Sequence, residues 1–189
     1  MIEYRIHGRG GQGNVAAAYL LGAAAFEAGW SCQAFPAFGA ERRGAPVAAF
    51  VRVDKSPIQL RSQVRSPDFL IVQDDTLLHD PKITAGLKSG GAMLVNSSLS
   101  SEEVAEHFNC RCVSIDATEM AMAHIGKPIP NTALLAALLT LTGQFPLSAL
   151  SAALSGRFHG DLLERNLALI EDAAKAVEEG LWAREAENA

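Results

Sequence analysis

The sequence is poor in cysteine, in aromatic residues and in basic charge. Its three cysteines, Cys32, Cys110 and Cys112, are too few to hold an iron–sulfur cluster by four thiolates or to form a disulfide framework. Aromatic residues make up 6% of the chain and the net charge is −5, which disfavours a nucleic-acid-binding protein. No apolar run is long enough for a membrane span. The composition predicts a globular protein of the reducing cytoplasm, with neither nucleic acid nor membrane as a partner.

The charge is unevenly distributed along the chain. Of the 16 basic and 21 acidic side chains, residues 1–55 carry six and four, and residues 56–189 carry ten and seventeen. A cationic region attracts anions even on an acidic protein. The distribution therefore predicts an anionic small ligand or partner near the N-terminal third.

The hydrophobic pattern predicts six strands and several helices. Apolar or alternating segments predict strands at residues 2–7, 31–35, 47–53, 69–73, 92–96 and 111–115. Helices are predicted at residues 14–28, from the capping box of Ser100 and Glu103 to Phe108, and at 132–142, 147–154 and 161–180. Strands separated by helices indicate an α/β fold. We expect one domain over residues 1–189: a doubly wound, mostly parallel, Rossmann-like sheet with a helical C-terminal section and a frayed tail at 182–189.

One segment of the chain, residues 128–156, has no charged side chain at all. Gly143 and Pro146 divide it into two helices, neither of which shows the polar stripe of a surface helix. Two interpretations remain open here. The helices form a hairpin buried in the chain's own core, or one side of them packs on another protein, because a domain of this size has little interior.

A glycine-rich motif lies between the first strand and the first helix. It consists of Gly8, Arg9, Gly10, Gly11, Gln12 and Gly13, and it matches the dinucleotide pattern G-x-G-x-x-G in the required context. In that pattern the glycines permit a tight turn, close approach of backbone to a diphosphate, and close packing of helix and strand. The motif predicts a phosphate site. The alternative is a glycine turn that serves strand–helix packing alone.

The residues after the second strand argue against an ordinary NAD site. That strand lacks the acidic residue that holds the ribose hydroxyls, and the first acid after it, Glu41, is followed by Arg42 and Arg43. Because guanidinium groups bind phosphate, the pair favours a ligand with a diphosphate and one further phosphate, such as NADP or coenzyme A. Salt bridges to a partner subunit are the alternative role for both arginines.

Side chains suited to catalysis are sparse. The histidines at positions 7, 79, 107, 124 and 159 show no metal-ligand spacing. Asp74 and Asp75 follow a strand, where α/β folds place their sites, but an N-cap of the next turn explains them equally well. The sequence predicts neither a catalytic residue nor a metal ligand, so the chain is poorly equipped as an enzyme by itself.

Three motifs together resemble one known family. They are residues 7–13, the segment 35–47 that contains Glu41-Arg42-Arg43-Gly44-Ala45-Pro46, and Ile129-Pro130-Asn131-Thr132 at the start of an apolar helix. The residues and the spacing of these motifs resemble those of the gamma subunit of 2-oxoacid:ferredoxin (acceptor) oxidoreductases of the pyruvate synthase type.

The resemblance implies a subunit, inactive alone, of a complex that oxidatively decarboxylates a 2-oxoacid to acyl-CoA. Pyruvate is the favoured substrate, and aromatic or branched 2-oxoacids are the alternative substrates. The resemblance also implies alpha, beta and ferredoxin-like subunits as partners, and ferredoxin or another electron acceptor. Thiamine diphosphate, Mg and [4Fe-4S] clusters are then held by the other subunits. Carried over to this sequence, residues 8–13, Arg42, Arg43 and Asn131 are the candidate contacts to coenzyme A.

Two further functions remain open at this point. The chain could be a purely architectural subunit, in which the glycine loop binds no ligand. It could also be a free-standing NADP-binding reductase, although the sequence offers no evident catalytic donor for one.

Overall fold

The computed structural model describes residues 1–37 and 44–183, and within them it contains a six-stranded sheet and six α-helices. The strands are β1 Ile2–Arg9, β2 Ser31–Pro36, β3 Pro46–Asp54, β4 Phe69–Val72, β5 Ala92–Asn96 and β6 Arg111–Ile115. The helices are α1 Asn14–Glu27, α2 Ser101–Phe108, α3 Ala117–Ile125, α4 Asn131–Thr142, α5 Leu147–Ser155 and α6 Gly160–Lys175. A short 3₁₀ helix spans Asp75–His79. The predicted α/β class is confirmed.

The strand order is β2-β3-β1-β4-β5-β6. β1, β4, β5 and β6 run parallel, whereas β3 is antiparallel to both of its neighbours. Residues 37–45, which connect β2 to β3, are too few for the crossover that a parallel pair needs. The first half of the sheet therefore departs from the usual dinucleotide-binding order, because β3 rather than β2 lies beside β1.

Both faces of the sheet are covered, as the doubly wound class requires. Strand side chains alternate between the faces, so Tyr4 and Ile6 of β1 point to the face that α1 and α4 cover. On the second face, Leu70, Val72 and Met93 pack with the buried Val104 of α2 and with residues of the 3₁₀ helix. The second core is the smaller of the two.

The uncharged segment supplies the centre of the larger core. Every residue of α4 except Thr140 is buried, because α1, α3, α5 and α6 all pack against this helix. Thr140 and Thr142 satisfy their hydroxyls inside the helix, as in the bond from Thr142 Oγ1 to the Leu138 carbonyl (2.8 Å), and Thr132 Oγ1 donates to Oδ1 of Asn166 in α6 (3.1 Å). The exposed positions of α5 are small residues such as Ser148 and Ala152. Burial in the chain's own core is therefore the interpretation that the structure supports.

The C-terminal end of the chain differs from its prediction. α6 ends at Lys175 rather than near residue 180, and Trp182, assigned from the sequence to a frayed tail, is only 2% exposed. Its ring stacks on Phe69 with the ring centroids 6.0 Å apart, and its backbone N–H donates to the Leu141 carbonyl (2.7 Å). A large aromatic surface gains from burial, which anchors Trp182 to the core. Residues 184–189 lie outside the described residues.

None of the helices in the described parts of the chain is both long and apolar enough to cross a membrane.

Candidate functional site

The glycine motif lies at the C-terminal edge of the parallel strands, where α/β folds bind their ligands. β1 delivers the chain to this edge, and α1 begins immediately after Gly13, which has the left-handed φ of 82°. A cleft of about 240 Å³ opens here, which we call the glycine-loop cleft. It is lined by Arg9, Gly10, Gly11, Gly13, Asn14, Val15 and Val47. The predicted strand–loop–helix context of the motif is therefore present.

Gln12 and the chain before β3 fix the loop in place. The Gln12 carboxamide accepts from the Arg9 N–H (2.7 Å) and donates to the Asp74 carboxylate (2.6 Å). The backbone of Gly10 pairs with that of Gly44 and Ala45. Gln12 thus positions the loop, and its side chain is occupied by these contacts.

Two carboxamides occupy the space that glycine leaves open. A Cβ on Gly8 would overlap the side chain of Asn14, and a Cβ on Gly13 would lie 2.7 Å from Nδ2 of Asn131. That Nδ2 donates to the Gly13 carbonyl (3.0 Å), and Asn131 is only 8% exposed. The predicted residue Asn131 therefore joins the glycine loop through α4, as a residue that positions the loop.

The start of α1 offers several unused backbone donors. Among the described residues, the N–H groups of Gly11, Gly13, Asn14 and Val15 have no hydrogen-bond acceptor, and α1 has no side-chain cap and no acidic residue in its first turn. Such amides, with the positive end of the helix dipole behind them, favour a negatively charged group. The cleft can therefore bind a phosphate or diphosphate.

Arg9 lies at the rim of the cleft and is held by neighbouring groups. Its guanidinium donates to the Thr76 hydroxyl (2.6 Å from Nη2) and to the Gly44 carbonyl (3.1 Å), and it lies 3.4 Å from the Asp74 carboxylate. Burial works to raise the pKa of Asp74, but the hydrogen bonds from Thr76 and Gln12 outweigh it, and the net pKa lies below its usual value. Asp74 caps the 3₁₀ helix by accepting from the Thr76 N–H, which confirms the N-cap interpretation.

The predicted arginine pair, Arg42 and Arg43, lies outside the described residues. Gly44, which follows them, contacts the glycine loop through the Gly10 carbonyl (3.0 Å).

A second cleft lies beside the first, on the opposite face of the sheet, and sequence reasoning did not single it out. This His7 cleft has a volume of about 450 Å³ and is lined by His7, Arg9, Pro46, Val47, Ala48, Thr76, Leu77, His79, Asp80, Lys82 and Ile83. Behind it, Arg5 Nε donates to Nε2 of His7 (2.8 Å). Strand alternation in β1, which leads into the motif, was the available signal, since it places Arg5, His7 and Arg9 on one face of the strand.

His7 is neutral at physiological pH. Burial and the nearby charge of Arg5 lower the pKa of His7 to about 3. Because Nε2 accepts the hydrogen bond from Arg5, the ring proton is assigned to Nδ1.

The cysteines offer no reactive thiol. Burial raises the pKa of Cys32 and Cys110, and it raises the pKa of Cys112 to about 12, so these groups stay protonated. Within residues 1–37 and 44–183 there is no cluster of three or more metal-ligating side chains.

The fold and the site together define an α/β domain with a cleft at the C-terminal edge of its parallel strands, lined by the glycine loop and the start of α1. A family model described as pyruvate ferredoxin/flavodoxin oxidoreductase matches residues 3–176. The common subunit gamma of the pyruvate/ketoisovalerate oxidoreductases of Thermococcus kodakarensis is 47% identical, over 92% of this chain and 95% of that protein. The pyruvate synthase subunit PorC of Methanosarcina barkeri is 50% identical, over 82% and 85%.

A solved structure agrees with these relatives. The crystal structure of pyruvate oxidoreductase subunit PORC from Thermotoga maritima superposes with a TM-score of 0.83 at 38% identity, over 92% of this chain and 95% of that one. The chain belongs to the pyruvate ferredoxin/flavodoxin oxidoreductase family. It is a subunit of a multi-subunit oxidoreductase, which confirms the resemblance seen in the sequence.

Substitution of Gly13 tests how the loop depends on Asn131, and Gly11→Ala serves as the control without that contact. Gly11→Ala is expected to cost only the left-handed backbone penalty of about 1 kcal/mol, because nothing lies within 4 Å of the added Cβ. Gly13→Ala should cost more, since its Cβ also overlaps Asn131. Urea unfolding of Gly13→Ala, Asn131→Ala and the double variant should show a double loss smaller than the sum. Strict additivity would contradict this contact between Gly13 and Asn131.

Acidification tests whether the folded protein holds the half-buried His7 in its neutral form. Because the folded pKa of about 3 lies below the unfolded value of 6.5, the unfolded state takes up the proton first as the pH falls. The contribution to stability is complete above pH 6.5 and is lost progressively towards pH 3, by about 2 kcal/mol at pH 5.

Urea unfolding at pH 7 and pH 5 measures that loss. The wild-type chain should lose about 2 kcal/mol more than His7→Gln, in which the carboxamide oxygen still accepts from Arg5. Equal losses in the two proteins would show that folding does not favour the neutral form of His7.

Proposed function

We propose that this chain is the gamma subunit that forms part of the coenzyme A site in a thiamine-dependent 2-oxoacid oxidoreductase of the cytoplasm. The complex decarboxylates a 2-oxoacid oxidatively to acyl-CoA and passes electrons to ferredoxin. Pyruvate is the favoured substrate, which agrees with the names of the relatives, and one of those names adds ketoisovalerate. Alpha, beta and ferredoxin-like subunits are the proposed partners.

The open amides at the start of α1 carry this proposal. Coenzyme A has a diphosphate, and the glycine-loop cleft offers N–H donors, a helix dipole and no acidic residue in the first turn of the helix. A cleft of about 240 Å³ has room for the diphosphate and not for the whole molecule. The remainder of coenzyme A must therefore contact other surfaces, for which Arg42 and Arg43 remain candidates.

The proposed contribution to the reaction is positioning. Thiamine diphosphate with Mg, and the [4Fe-4S] clusters, supply the decarboxylation and electron transfer and are held by other subunits in this proposal. This chain anchors the phosphates, so that the coenzyme A thiol is presented to the acyl group in a fixed orientation. Such orientation lowers a barrier without any catalytic side chain from the anchoring subunit.

One observation favours an architectural role in addition. The outward face of α1 carries Tyr19, Ala23 and Phe26, which are all exposed, and Phe26 is 70% exposed. An exposed apolar stripe of this kind marks a surface for protein contact. The single gamma-type domain would then also bind its partner subunits.

Val15 allows a direct test of the coenzyme A site. Val15→Glu places a carboxylate beside the proposed diphosphate position, whereas Val15→Gln adds a side chain of the same size without charge. An acidic residue is tolerated in the first turn of a helix, so both variants should assemble. In the purified complex we expect Val15→Glu to raise the dissociation constant for coenzyme A roughly tenfold or more over Val15→Gln.

Two readouts separate binding from chemistry. Calorimetric titration with coenzyme A gives the affinity, and release of CO₂ from the 2-oxoacid without coenzyme A should be the same in both variants. Equal affinities in Val15→Glu and Val15→Gln would contradict the coenzyme A site. Weaker assembly of both variants, with unchanged affinity in what assembles, would favour the architectural role.

A further inference from the structure

The glycine-loop cleft and the His7 cleft share one wall. Arg9 and Val47 line both of them, and these residues lie where β1 ends and the antiparallel β3 begins, in the pairs Arg9 with Pro46 and Gly8 with Val47. One cleft lies on the α1 side of this rim and the other on the side of the 3₁₀ helix. A ligand that crosses the rim would therefore reach both.

The His7 cleft offers donors suited to an anion. Among the described residues, Nδ1 of His7 has no hydrogen-bond acceptor, and the ammonium of Lys82 is exposed and forms no ion pair. The guanidinium of Arg9 adds a second positive charge at the shared wall. Asp80 is the acidic residue in the lining, and one of its carboxylate oxygens accepts from the backbone N–H of Lys82 (2.9 Å).

The balance of charge in this cleft is positive. Arg9 and Lys82 line it, and Arg5 lies behind His7 with its Nη2 bonded to the Ile83 carbonyl (2.9 Å). Asp74 offsets Arg9 from outside the lining, at 3.4 Å, and Asp80 lies within it, so three cations stand against two carboxylates in and around this cleft. A phosphate can accept hydrogen bonds from the charged groups and from the neutral N–H groups of this cleft. The charge-assisted bonds are about twice as strong as the neutral ones.

We propose that the His7 cleft binds a phosphomonoester on the ribose of the same nucleotide whose diphosphate lies in the glycine-loop cleft. The inference rests on the proposed function, since coenzyme A carries a diphosphate and a separate 3′-phosphate. Lys82 and His7 donate to that phosphate, and Arg9 lies between the two groups. The second cleft therefore lets the subunit distinguish coenzyme A from its 3′-dephospho form.

Lys82→Ala in the purified complex tests the inference. The side chain is exposed and unpaired among the described residues, so the variant is expected to fold and assemble. Calorimetric titration should show the dissociation constant for coenzyme A raised roughly five- to tenfold, and that for 3′-dephospho-coenzyme A unchanged. Lys175→Ala removes the same charge at the C-terminal end of α6 and should change neither value.

The outcomes separate the two proposals. If Lys82→Ala weakens both ligands equally, or neither, while Val15→Glu weakens both, the inference about the His7 cleft is overturned and the proposed function stands. If neither variant changes either affinity, the proposed coenzyme A site fails as well. NADP⁺, which also carries a diphosphate and a ribose phosphate, serves as a third ligand, and binding of NADP⁺ in place of coenzyme A would overturn both proposals.

Discussion

The C-terminal edge of the parallel strands, where the glycine-loop cleft lies, depends on the bond from the Asn131 carboxamide to the carbonyl of Gly13. It fixes the start of α1 against the start of α4, the most deeply buried helix. The contact is possible only because Gly13 has no Cβ and tolerates a positive φ. Through this bond the apolar core sets the position of the amides that line the cleft. The third glycine of the motif therefore serves helix–helix packing as much as the approach of a ligand.

Electrostatics then makes this edge of an acidic protein suitable for anions. Arg9 offsets the Asp74 carboxylate, and α1 begins without an acidic residue. A helix N-terminus contributes at most about 2 kcal/mol to anion binding, whereas micromolar affinity requires about 8 kcal/mol. One loop is therefore insufficient for a tight coenzyme A site. The difference between these two energies supports a coenzyme A site that is shared between the two clefts and the surfaces of partner subunits. Such sharing suits a chain that belongs to a multi-subunit enzyme.

Local signals were sufficient for much of the fold. Alternation in β1, the glycine motif before α1 and the capping box of Ser100 with Glu103 each act over a few residues, and the structure contains all three. The place of β3 beside β1 and the burial of Trp182 result from contacts between distant segments, which periodicity does not encode. For the same reason Asn131 was recognised by family likeness and not as the partner of Gly13. The His7 cleft was missed because Lys82 approaches β1 from a separate turn.

The central claim is that the amides at the start of α1 bind coenzyme A. Hydrogen exchange of the assembled complex, read by mass spectrometry on a peptide spanning residues 9–17, tests it most directly. The account predicts that coenzyme A slows exchange in this peptide and leaves a peptide from the C-terminal half of α6 unchanged. Slower exchange confined to peptides of the other subunits, with residues 9–17 unaffected, would contradict it.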